Sequence, residues 1–308
     1  MAAQIQKFDH LVFTSDFTAI CDTLGAPYSR KIIEQILVAF REYEGKAIIA
    51  MRCTSRAADG IGFRMYFPGQ SIDTTTIAAR TGWIEREHSL ARLVRSWTTQ
   101  EAEQWCDFDP CRGLSKTWVY YRQLRPVETI LSAEGVSAAV RARMLDFQGI
   151  GLNRVNFTAV DYRKATINVY FLVPEALTVE RATRYISLAR STTFSEAEMD
   201  ALENDVETMR SFMGPKFSFA VTLAQATGQV QRVSFYARAK EASSLIQLDK
   251  RIAKFFMEAP SHDPGKFMTI GWSFGSSADS RYMKGEVSYS GDMKSHVHDM
   301  MNHWLDRK

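Results

Sequence analysis

Basic side chains recur on alternate positions of several short segments that have the pattern of β-strands. In the stretch "DYRKATINVYF", residues 161–171, the polar residues Lys164, Thr166, Asn168 and Tyr170 alternate with apolar ones. Alternation with a period of two places the two sets on opposite faces of a sheet. The apolar face must pack against other elements, so the polar face either contacts bulk water or lines a cavity.

The same separation of faces recurs in other strand-like segments, and it gathers cations on the polar side. The predicted inner cations are Arg52, Arg64, Lys116, Lys164, Arg232 and Lys284, and Glu286 is the one obvious acid among them. Lysine and arginine are rarely buried without a partner, so converging cations are costly unless an anion joins them. The alternative is an open sheet whose cations reach bulk water. So many cations on one face favour an anion-binding cavity.

Aromatic residues share the polar faces with these cations. They are Trp118, Tyr120, Tyr170, Tyr236 and Tyr282. Taken one at a time, such residues are typical of packing. Beside an anion site they indicate a ligand that joins a polyanionic head to an apolar or cationic body.

Helical segments and strand pairs alternate along the chain in similar units. Strand pairs are predicted near 46–55 and 61–68, 103–109 and 115–122, 153–160 and 165–173, 216–224 and 229–237, and 267–275 and 282–290. Helical periodicity is found between them, for example over 29–45, 87–97, 133–148, 178–190, 195–210 and 242–259, and a terminal helix closes the chain. The hairpin tips, near 59, 111, 163, 227 and 278, lie about 50–65 residues apart. Each unit is too small to bury its own apolar face.

Five such units supply ten antiparallel strands, which either form an open sheet covered on one side or close into a barrel. Closure removes the exposed sheet edges, so it is favoured for this many strands. The predicted fold is therefore α+β, with a single domain over residues 1–308. In it, helices from five αα–ββ repeats ring a ten-stranded antiparallel β-barrel. The apolar strand faces then pack on the helices, and the polar faces line the lumen.

Composition excludes several classes of function. The net charge of +3 is too small to indicate binding to nucleic acid or to an anionic membrane, and no basic run is expected on the outside. The first ten residues contain no apolar signal core, and no apolar run approaches the length of a membrane span. We therefore expect a soluble, cytoplasmic protein.

The cysteines and histidines do not form a convincing metal site. Cys21 and Cys53 are isolated, and no second pair completes a zinc site beside Cys106 and Cys111. In the predicted last helix, His296 and His298 lie about 200° apart around the axis, so they cannot chelate from one face. We predict free or structural thiols and no bound metal.

The chain resembles the soluble ABBA-type, or PT-barrel, aromatic prenyltransferases over nearly its whole length. The resemblance is carried by "RGLSKTWVYYRQLRPVETIL", "VNFTAVDYRKATINVYF", "FAVTLAQATGQVQRVSFYA" and "APSHDPGKFMTIGWSFG". These stretches are most similar to the clorobiocin-pathway branch and less similar to the naphterpin-type, geranyl-using branch. The resemblance implies a ten-stranded barrel enzyme of secondary metabolism. Such an enzyme transfers a prenyl group, here expected to be dimethylallyl, from an allylic diphosphate to a carbon of an electron-rich aromatic ring.

The resemblance also implies the site residues. Diphosphate-binding residues are expected at Lys116, Lys164, Asn168, Arg232 and Lys284, with Arg52 and Arg64 as basic positions of the clorobiocin-type branch. The pocket for the prenyl and aromatic groups is expected at Trp118, Asn156, Tyr170, Ala220, Ser234 and Ser288. Glu286 matches an acidic position near the acceptor, where it either orients or deprotonates a phenolic hydroxyl or only balances charge. Asp107 matches a further family position whose role is open.

Two departures from the naphterpin-type branch bear on the requirement for a metal. The magnesium-binding Asp of that branch is replaced by Gly62, and its diphosphate-contacting Tyr by Ala220. The chain also lacks a DDxxD motif, so transfer without magnesium or another cofactor is expected. The expected partners are a prenyl diphosphate and a small aromatic acceptor. The protein is expected to be a monomer. The alternatives are a geranyl-using enzyme and a non-catalytic barrel that binds a hydrophobic or anionic small molecule.

Overall fold

The computed structural model describes residues 8–239, 248–277 and 280–305, and its strands close into a ten-stranded barrel. The strands are β1 (Ile48–Thr54), β2 (Gly62–Tyr66), β3 (Glu103–Asp109), β4 (Gly113–Pro126), β5 (Arg154–Asp161), β6 (Thr166–Val173), β7 (Phe217–Ala224), β8 (Val230–Ala239), β9 (Met268–Gly275) and β10 (Tyr282–Ser290). Each strand pairs antiparallel with its sequence neighbours, and β1 pairs with β10 to close the ring. The predicted barrel is confirmed.

Helices lie between successive hairpins and surround the barrel. They are α1 (His10–Thr23), α2 (Arg30–Ala39), α3 (Thr74–Arg80), α4 (Ser89–Trp97), α5 (Val127–Leu131), α6 (Ala138–Arg141), α7 (Met144–Gly149), α8 (Val179–Ile186), α9 (Glu196–Phe212), α10 (Lys250–Glu258) and α11 (Met293–Leu305). The capping box at Ser195 and Glu198 begins α9, as the sequence predicts, because each side chain binds a backbone N–H of the other residue. Helix α1 has no counterpart among the predicted helices. The predicted helix over 242–259 is observed as α10, and its part over 242–247 lies outside the described residues, as does the predicted tip near 278.

The main apolar core lies between the barrel and the helices. On β6, for example, Ile167, Val169 and Phe171 are fully buried and belong to a cluster that includes Leu93 and Val94 of α4. The alternate residues of the same strand, such as Asn168 and Tyr170, point into the barrel, where Tyr170 belongs to a second, separate cluster of buried residues. The apolar faces therefore pack outward, and the opposite faces are left to line the lumen.

The two ends of the barrel differ. At one end, here called the upper end, lie the hairpin turns that join β1 to β2, β3 to β4 and β5 to β6. At the other, lower end, α11 follows β10 and packs against β4. Among the described residues, no helix has both the length and the apolar composition needed to cross a membrane.

Candidate active site

A cavity of about 1050 Å³ extends along the lumen. Its upper part is lined by charged residues of the strands and hairpins, including Lys116, Arg232 and Lys284. Its lower part is lined by aromatic residues and by side chains of α11, including Trp105 and Met300. The cavity is therefore polar at one end and largely apolar at the other.

Three cations form a cluster in the upper part of the cavity, which we call the upper cation cluster: Lys116, Arg232 and Lys284. Burial lowers the pKa of Lys284 well below its ordinary value, and repulsion by Arg232, Lys116 and Arg52 lowers it further. Burial likewise lowers the pKa of Lys116 to about 8, although Asp161 opposes the shift. These shifts show that positive charges from different strands converge on one volume.

The cluster residues are held mainly by uncharged groups. Lys284 Nζ donates to Ser234 Oγ at 3.1 Å and to the Tyr236 hydroxyl at 3.0 Å. Arg232 Nη2 donates to Thr222 Oγ1 at 3.2 Å. Among the ion pairs of the described residues, one involves the cluster: Lys116 Nζ lies 3.8 Å from Asp161 Oδ2. The cluster therefore keeps a net positive charge.

Two buried donors near the cluster lack hydrogen-bond partners among the described residues: Asn168 Nδ2 and Arg232 Nε. The Asn168 carbonyl is oriented by Thr222, whose hydroxyl donates to Asn168 Oδ1 at 2.7 Å. Thr222 thus fixes the orientation of the Asn168 amide, and the NH₂ group of that amide has no hydrogen-bond partner among the described residues. Unsatisfied buried donors beside a cationic cluster suit a multivalent anion.

Beside the upper cation cluster lies a partly buried ion network of Arg52, Arg64, Asp107 and Glu286. The register pairs Arg52 with Glu286 and Arg64 with Asp107 across neighbouring strands. Arg64 Nε lies 2.5 Å from Asp107 Oδ1, and its Nη1 lies 3.2 Å from Glu286 Oε2. Arg52 Nη1 contacts Asp107 Oδ2, and Arg52 Nε lies 3.3 Å from Glu286 Oε2. The two positive and two negative charges cancel within the network.

Asp107 and Tyr66 complete this network. Burial opposes ionisation of Asp107, but Arg52 and Arg64 hold the pKa of its carboxyl well below the usual range. Asp107 therefore stays charged and anchors both guanidinium groups. The Tyr66 hydroxyl donates to Glu286 Oε1, and burial raises the pKa of this phenol well above its ordinary value. The side chain of Glu286 is thus held at the cavity wall.

Aromatic rings form the walls beside the network. The guanidinium of Arg64 lies 4.0 Å from the ring centroid of Trp118, whose ring lies 4.6 Å from that of Tyr170. Tyr170 is followed by Tyr236 at 5.8 Å. Tyr236 can occupy this place because its neighbour on β9 is Gly271, where a Cβ would lie 2.8 Å from the tyrosine ring. The rings therefore run from the ion network to the upper cation cluster.

Most predicted site residues line the cavity, but Lys164 does not lie on a strand. It is an exposed residue of the turn 162–165, and β6 begins only at Thr166. Its backbone N–H donates to Asp161 Oδ1, which caps the turn. The predicted alternation includes Lys164, two residues before the strand begins, because the alternating pattern continues through the turn. Lys164 lines only the rim of the upper opening.

Two residues predicted to line the pocket, Asn156 and Ser288, are not among those that line the cavity formed by the described residues. A bulge between Val155 and Phe157 shifts the register of β5, so Phe157 and Ala159 face the lumen while Thr158 faces outward to the Tyr121 hydroxyl. Ser288 is buried, and its hydroxyl accepts the backbone N–H of Phe267.

Ala220 and Ser234 face the lumen but lie behind other side chains and do not line the cavity themselves. Ala220 pairs with both Tyr170 and Ser234 and leaves space for the tyrosine ring. Ser234 shares a hydrogen bond of 2.8 Å with Ser273 and accepts one from Lys284. Both residues therefore support the wall.

Sequence reasoning missed several lumen residues. Asp161, Trp105 and Phe157 line the cavity, and so do Met293 and Met300 of α11. The alternation of β3 carries a signal for Trp105 and Asp107, since both have the parity that the register pairs with Trp118 and Lys116. Nothing in the sequence of α11 indicates that the helix covers the lower end of the barrel.

Two observations concern the binding of a metal ion. Among residues 8–239, 248–277 and 280–305, no three His, Cys, Asp or Glu side chains are placed to hold an ion. At Gly62, a Cβ would lie 2.7 Å from the backbone carbonyl oxygen of Phe108. The close approach of β3 therefore requires glycine at this position.

Comparison with known proteins places the chain among enzymes. A family model described as aromatic prenyltransferase Orf2 matches residues 8–301. An aromatic prenyltransferase of Arthroderma otae is 37% identical over 282 residues, which cover 90% of this chain and 87% of that protein. A 4-hydroxyphenylpyruvate 3-dimethylallyltransferase of Streptomyces niveus is 34% identical over 291 residues, covering 94% of this chain and 87% of that protein. A solved 6-dimethylallyl tryptophan synthase shares the fold, with a TM-score of 0.62 at 13% identity and coverage of 94% and 99%.

Proposed function

The chain belongs to the Orf2 family of aromatic prenyltransferases, and we propose that it transfers a dimethylallyl group from dimethylallyl diphosphate to a ring carbon of a phenolic acceptor. The observation that carries this proposal is the upper cation cluster, whose three positive charges are paired with one carboxylate among the described residues, that of Asp161. It lies directly above aromatic walls in the same cavity. The Streptomyces niveus relative is named as a dimethylallyltransferase, which supports the five-carbon donor.

The diphosphate binds to Lys116, Arg232 and Lys284 in this proposal. Its oxygens accept hydrogen bonds from Asn168 Nδ2 and Arg232 Nε, the two donors that lack partners among the described residues. A bound dianion or trianion relieves the repulsion that lowers the pKa of both lysines. Lys164 adds only long-range attraction at the rim, because it is exposed.

Arg52 and Arg64 have a different role from the one expected by resemblance. Their guanidinium groups are already committed to Asp107 and Glu286. Arg64 is buried and its planar group also covers Trp118, so we assign it to positioning of the Glu286 carboxylate. Arg52 is more exposed and adds positive charge beside the diphosphate as well.

The reaction breaks the bond between the allylic carbon and the bridging oxygen of the diphosphate. The electron pair leaves with the oxygen, and Lys116, Arg232 and Lys284 stabilise the charge that builds there. The allylic cation is sheltered from water by Tyr170 and Tyr236, whose ring faces attract it. A ring carbon of the acceptor supplies the electron pair of the new C–C bond, and the same carbon then loses its proton.

Glu286 accepts a hydrogen bond from the acceptor's phenolic hydroxyl in this scheme. Partial transfer of that proton to the carboxylate enriches the ring in electrons and promotes attack. Whether the ring proton leaves to Glu286 or to diphosphate, atoms and charge balance, and free diphosphate is the second product. We propose further that no magnesium is needed, because the cations already neutralise the leaving group and Gly62 offers no ligand. Gly62 and Ala220 support assignment to the clorobiocin-type branch.

The test is product formation in excess EDTA with dimethylallyl or geranyl diphosphate and a panel of phenols and dihydroxynaphthalenes. We expect diphosphate release and a prenylated product with the five-carbon donor. Binding of the donor without any release of diphosphate, across the panel, would favour a non-catalytic carrier. Products from geranyl diphosphate alone would contradict the proposed donor.

A further inference from the structure

The Tyr66 hydroxyl contacts the carboxylate that receives the acceptor in the proposed reaction, although no step of that reaction uses Tyr66. The residue lies on β2, two positions after Arg64, and its buried side chain lines the cavity. Its hydroxyl accepts a hydrogen bond from Arg64 Nη1 at 3.2 Å and donates one to Glu286 Oε1. Arg64 Nη1 also lies 3.2 Å from Glu286 Oε2. The three side chains therefore form a closed ring of polar contacts.

The chemistry of the groups fixes the direction in which the Tyr66 proton points. A guanidinium group has donors and no acceptor, so Arg64 can only donate to the Tyr66 oxygen. Burial raises the pKa of Tyr66 well above its ordinary value, so the phenol keeps its proton throughout the neutral range. Among the hydrogen bonds of the described residues, the hydroxyl has one acceptor, Glu286 Oε1. The Tyr66 proton therefore points at this oxygen.

The contacts of the Glu286 carboxylate leave one direction open for a further hydrogen bond. Arg52 Nε and Arg64 Nη1 lie 3.3 and 3.2 Å from Oε2, so the two guanidinium groups occupy the space around that oxygen. Oε1 has two lone pairs, and Tyr66 uses one of them. An incoming phenolic hydroxyl therefore reaches the carboxylate at the remaining lone pair of Oε1.

Aromatic neighbours hold the Tyr66 ring in place. Its centroid lies 4.7 Å from that of Trp105 and 5.8 Å from that of His296 on α11, in edge-to-face arrangements. Trp105 in turn stacks on Tyr120 at 5.2 Å. These contacts keep the Tyr66 hydroxyl directed at Glu286, so the open direction at Oε1 stays the same from one turnover to the next.

We infer that Tyr66 is a positioning residue that determines which atom of the acceptor is prenylated. This inference rests on the proposed prenyl transfer. Lys284, which binds the diphosphate in that proposal, lies two residues from Glu286 on β10, a distance of about 7 Å along the strand. A phenol whose hydroxyl donates to the open lone pair of Oε1 has one orientation, in which a carbon next to the hydroxyl faces the allylic carbon.

Loss of the Tyr66 hydroxyl opens a second direction at Oε1 and removes a contact that stops the carboxylate from rotating. The acceptor then binds in more than one orientation, and some of these present the phenolic oxygen to the allylic cation. Attack by that oxygen forms a C–O bond with its own electron pair and releases the hydroxyl proton to Glu286, so atoms and charge balance. The product is an aryl prenyl ether in place of a C-prenylated phenol.

Product distributions with dimethylallyl diphosphate test the inference on two acceptors. 4-Methylphenol is activated at its ortho carbons and its oxygen, and 1,6-dihydroxynaphthalene has several activated carbons. The native protein should give mainly the ortho-prenylated phenol and one naphthalene isomer. Tyr66→Phe should raise the ratio of ether to C-prenylated phenol at least about tenfold, the range of one hydrogen bond to a charged group, and should give mixed naphthalene isomers.

A matched control and a second background separate positioning from a structural role. Tyr121→Phe removes another buried hydroxyl, which bonds Thr158 Oγ1 at 2.9 Å outside the lumen, and should leave both distributions unchanged. In Glu286→Gln the carboxylate is already lost, so adding Tyr66→Phe should change the distributions no further. Glu286→Asp draws the carboxylate away from the Tyr66 hydroxyl and should cause the same shift as Tyr66→Phe, which keeps the test available if that variant does not fold.

The outcomes distinguish failure of this inference from failure of the proposed function. Tyr66→Phe that is slower but gives the native distribution would overturn the inference alone, because it would show that Tyr66 only supports the wall. A shift of equal size in the Glu286→Gln background would overturn it as well. Absence of any prenylated product from the native protein with both acceptors would overturn the proposed function too.

Discussion

Lys116 provides a quantitative test of the anion site, because its charge is unfavourable in the ligand-free protein. Burial lowers its pKa from 10.5 to about 8, and Arg232 contributes further, while Asp161 opposes the shift. Each pKa unit corresponds to about 1.4 kcal/mol, so the shift from the unfolded value amounts to about 3 kcal/mol of destabilisation. We consider how a rise in pH changes the free energy of unfolding of the native protein and of the Lys116→Met variant.

The sign follows from proton linkage. Below pH 8 the lysine is charged in both the folded and the unfolded chain, so the full cost is present. Between about pH 8 and 10.5 the folded protein releases the proton first, and stability rises by up to about 1.4 kcal/mol per pH unit. For a protein of this size, 1 kcal/mol corresponds to roughly 2 °C in melting temperature. Other groups titrate in the same range, so the informative quantity is the difference between the native protein and the variant.

Thermal melting between pH 7.5 and 9.5, with and without inorganic pyrophosphate, measures this difference. The variant should melt at a higher temperature than the native protein near pH 7.5, and this advantage should shrink as the pH rises. Pyrophosphate should stabilise the native protein by about 2.7 kcal/mol at a hundredfold excess over its Kd, and the variant by less. Lys250→Met, at an exposed position of α10, should show neither effect. A variant less stable than the native protein at pH 7.5, or an equal response to pyrophosphate, would refute the assignment of Lys116 to the anion site.

Three further predictions concern the donor end. Arg232→Ala should lower kcat/KM by about ten- to a hundredfold, because it removes a charge-assisted contact. Lys164→Ala should lower kcat/KM no more than about fivefold, because exposed charges contribute about 0–1 kcal/mol. Steady-state kinetics in which the two variants lose equal activity would contradict this order. Prenyl transfer should proceed in excess EDTA, and restoration of a lost activity by Mg²⁺ would show that a carboxylate ligand has been overlooked. Gly62→Asp should destabilise the fold by about 1–3 kcal/mol, because the new Cβ would lie 2.7 Å from a backbone oxygen; thermal melting measures this loss. The same variant should not make the activity depend on magnesium, which a titration with Mg²⁺ checks.

The fold could be predicted from the sequence because its main signal is local. The alternation in β4, β6, β8 and β10 identifies the lumen faces correctly, and the repeated hairpins indicate closure. The alternation fails in β5 for a physical reason. One bulge between Val155 and Phe157 changes the parity of the strand, so the predicted inner residue Thr158 faces outward. A bulge leaves no signal in the spacing of apolar residues when both faces of a strand are buried.

The roles of individual cations could not be predicted in the same way, because they depend on cross-strand register. The sequence places Arg64 and Lys284 on equivalent inner faces. The register, however, sets Arg64 beside Asp107, whereas Lys284 is set beside Gly271. Contacts between strands that are far apart in sequence decide this difference. For the same reason, the expectation that Glu286 is the one obvious acid on the inner faces was wrong, since Asp107 and Asp161 lie there too.

The register also explains how the barrel keeps one group of cations available for an anion. The strand neighbours of Arg232 are Thr222 and Gly275, and those of Lys284 are Gly271 and Thr54, so none of the residues paired with either cation across the sheet is an acid. A Cβ at Gly271 would lie 2.8 Å from the Tyr236 ring, and one at Gly275 would lie 2.5 Å from the Ser280 hydroxyl oxygen. A carboxylate that could neutralise either cation therefore cannot be introduced at these two positions without displacing a neighbour. The tight packing of two glycines thus preserves the positive charge that the departing diphosphate requires.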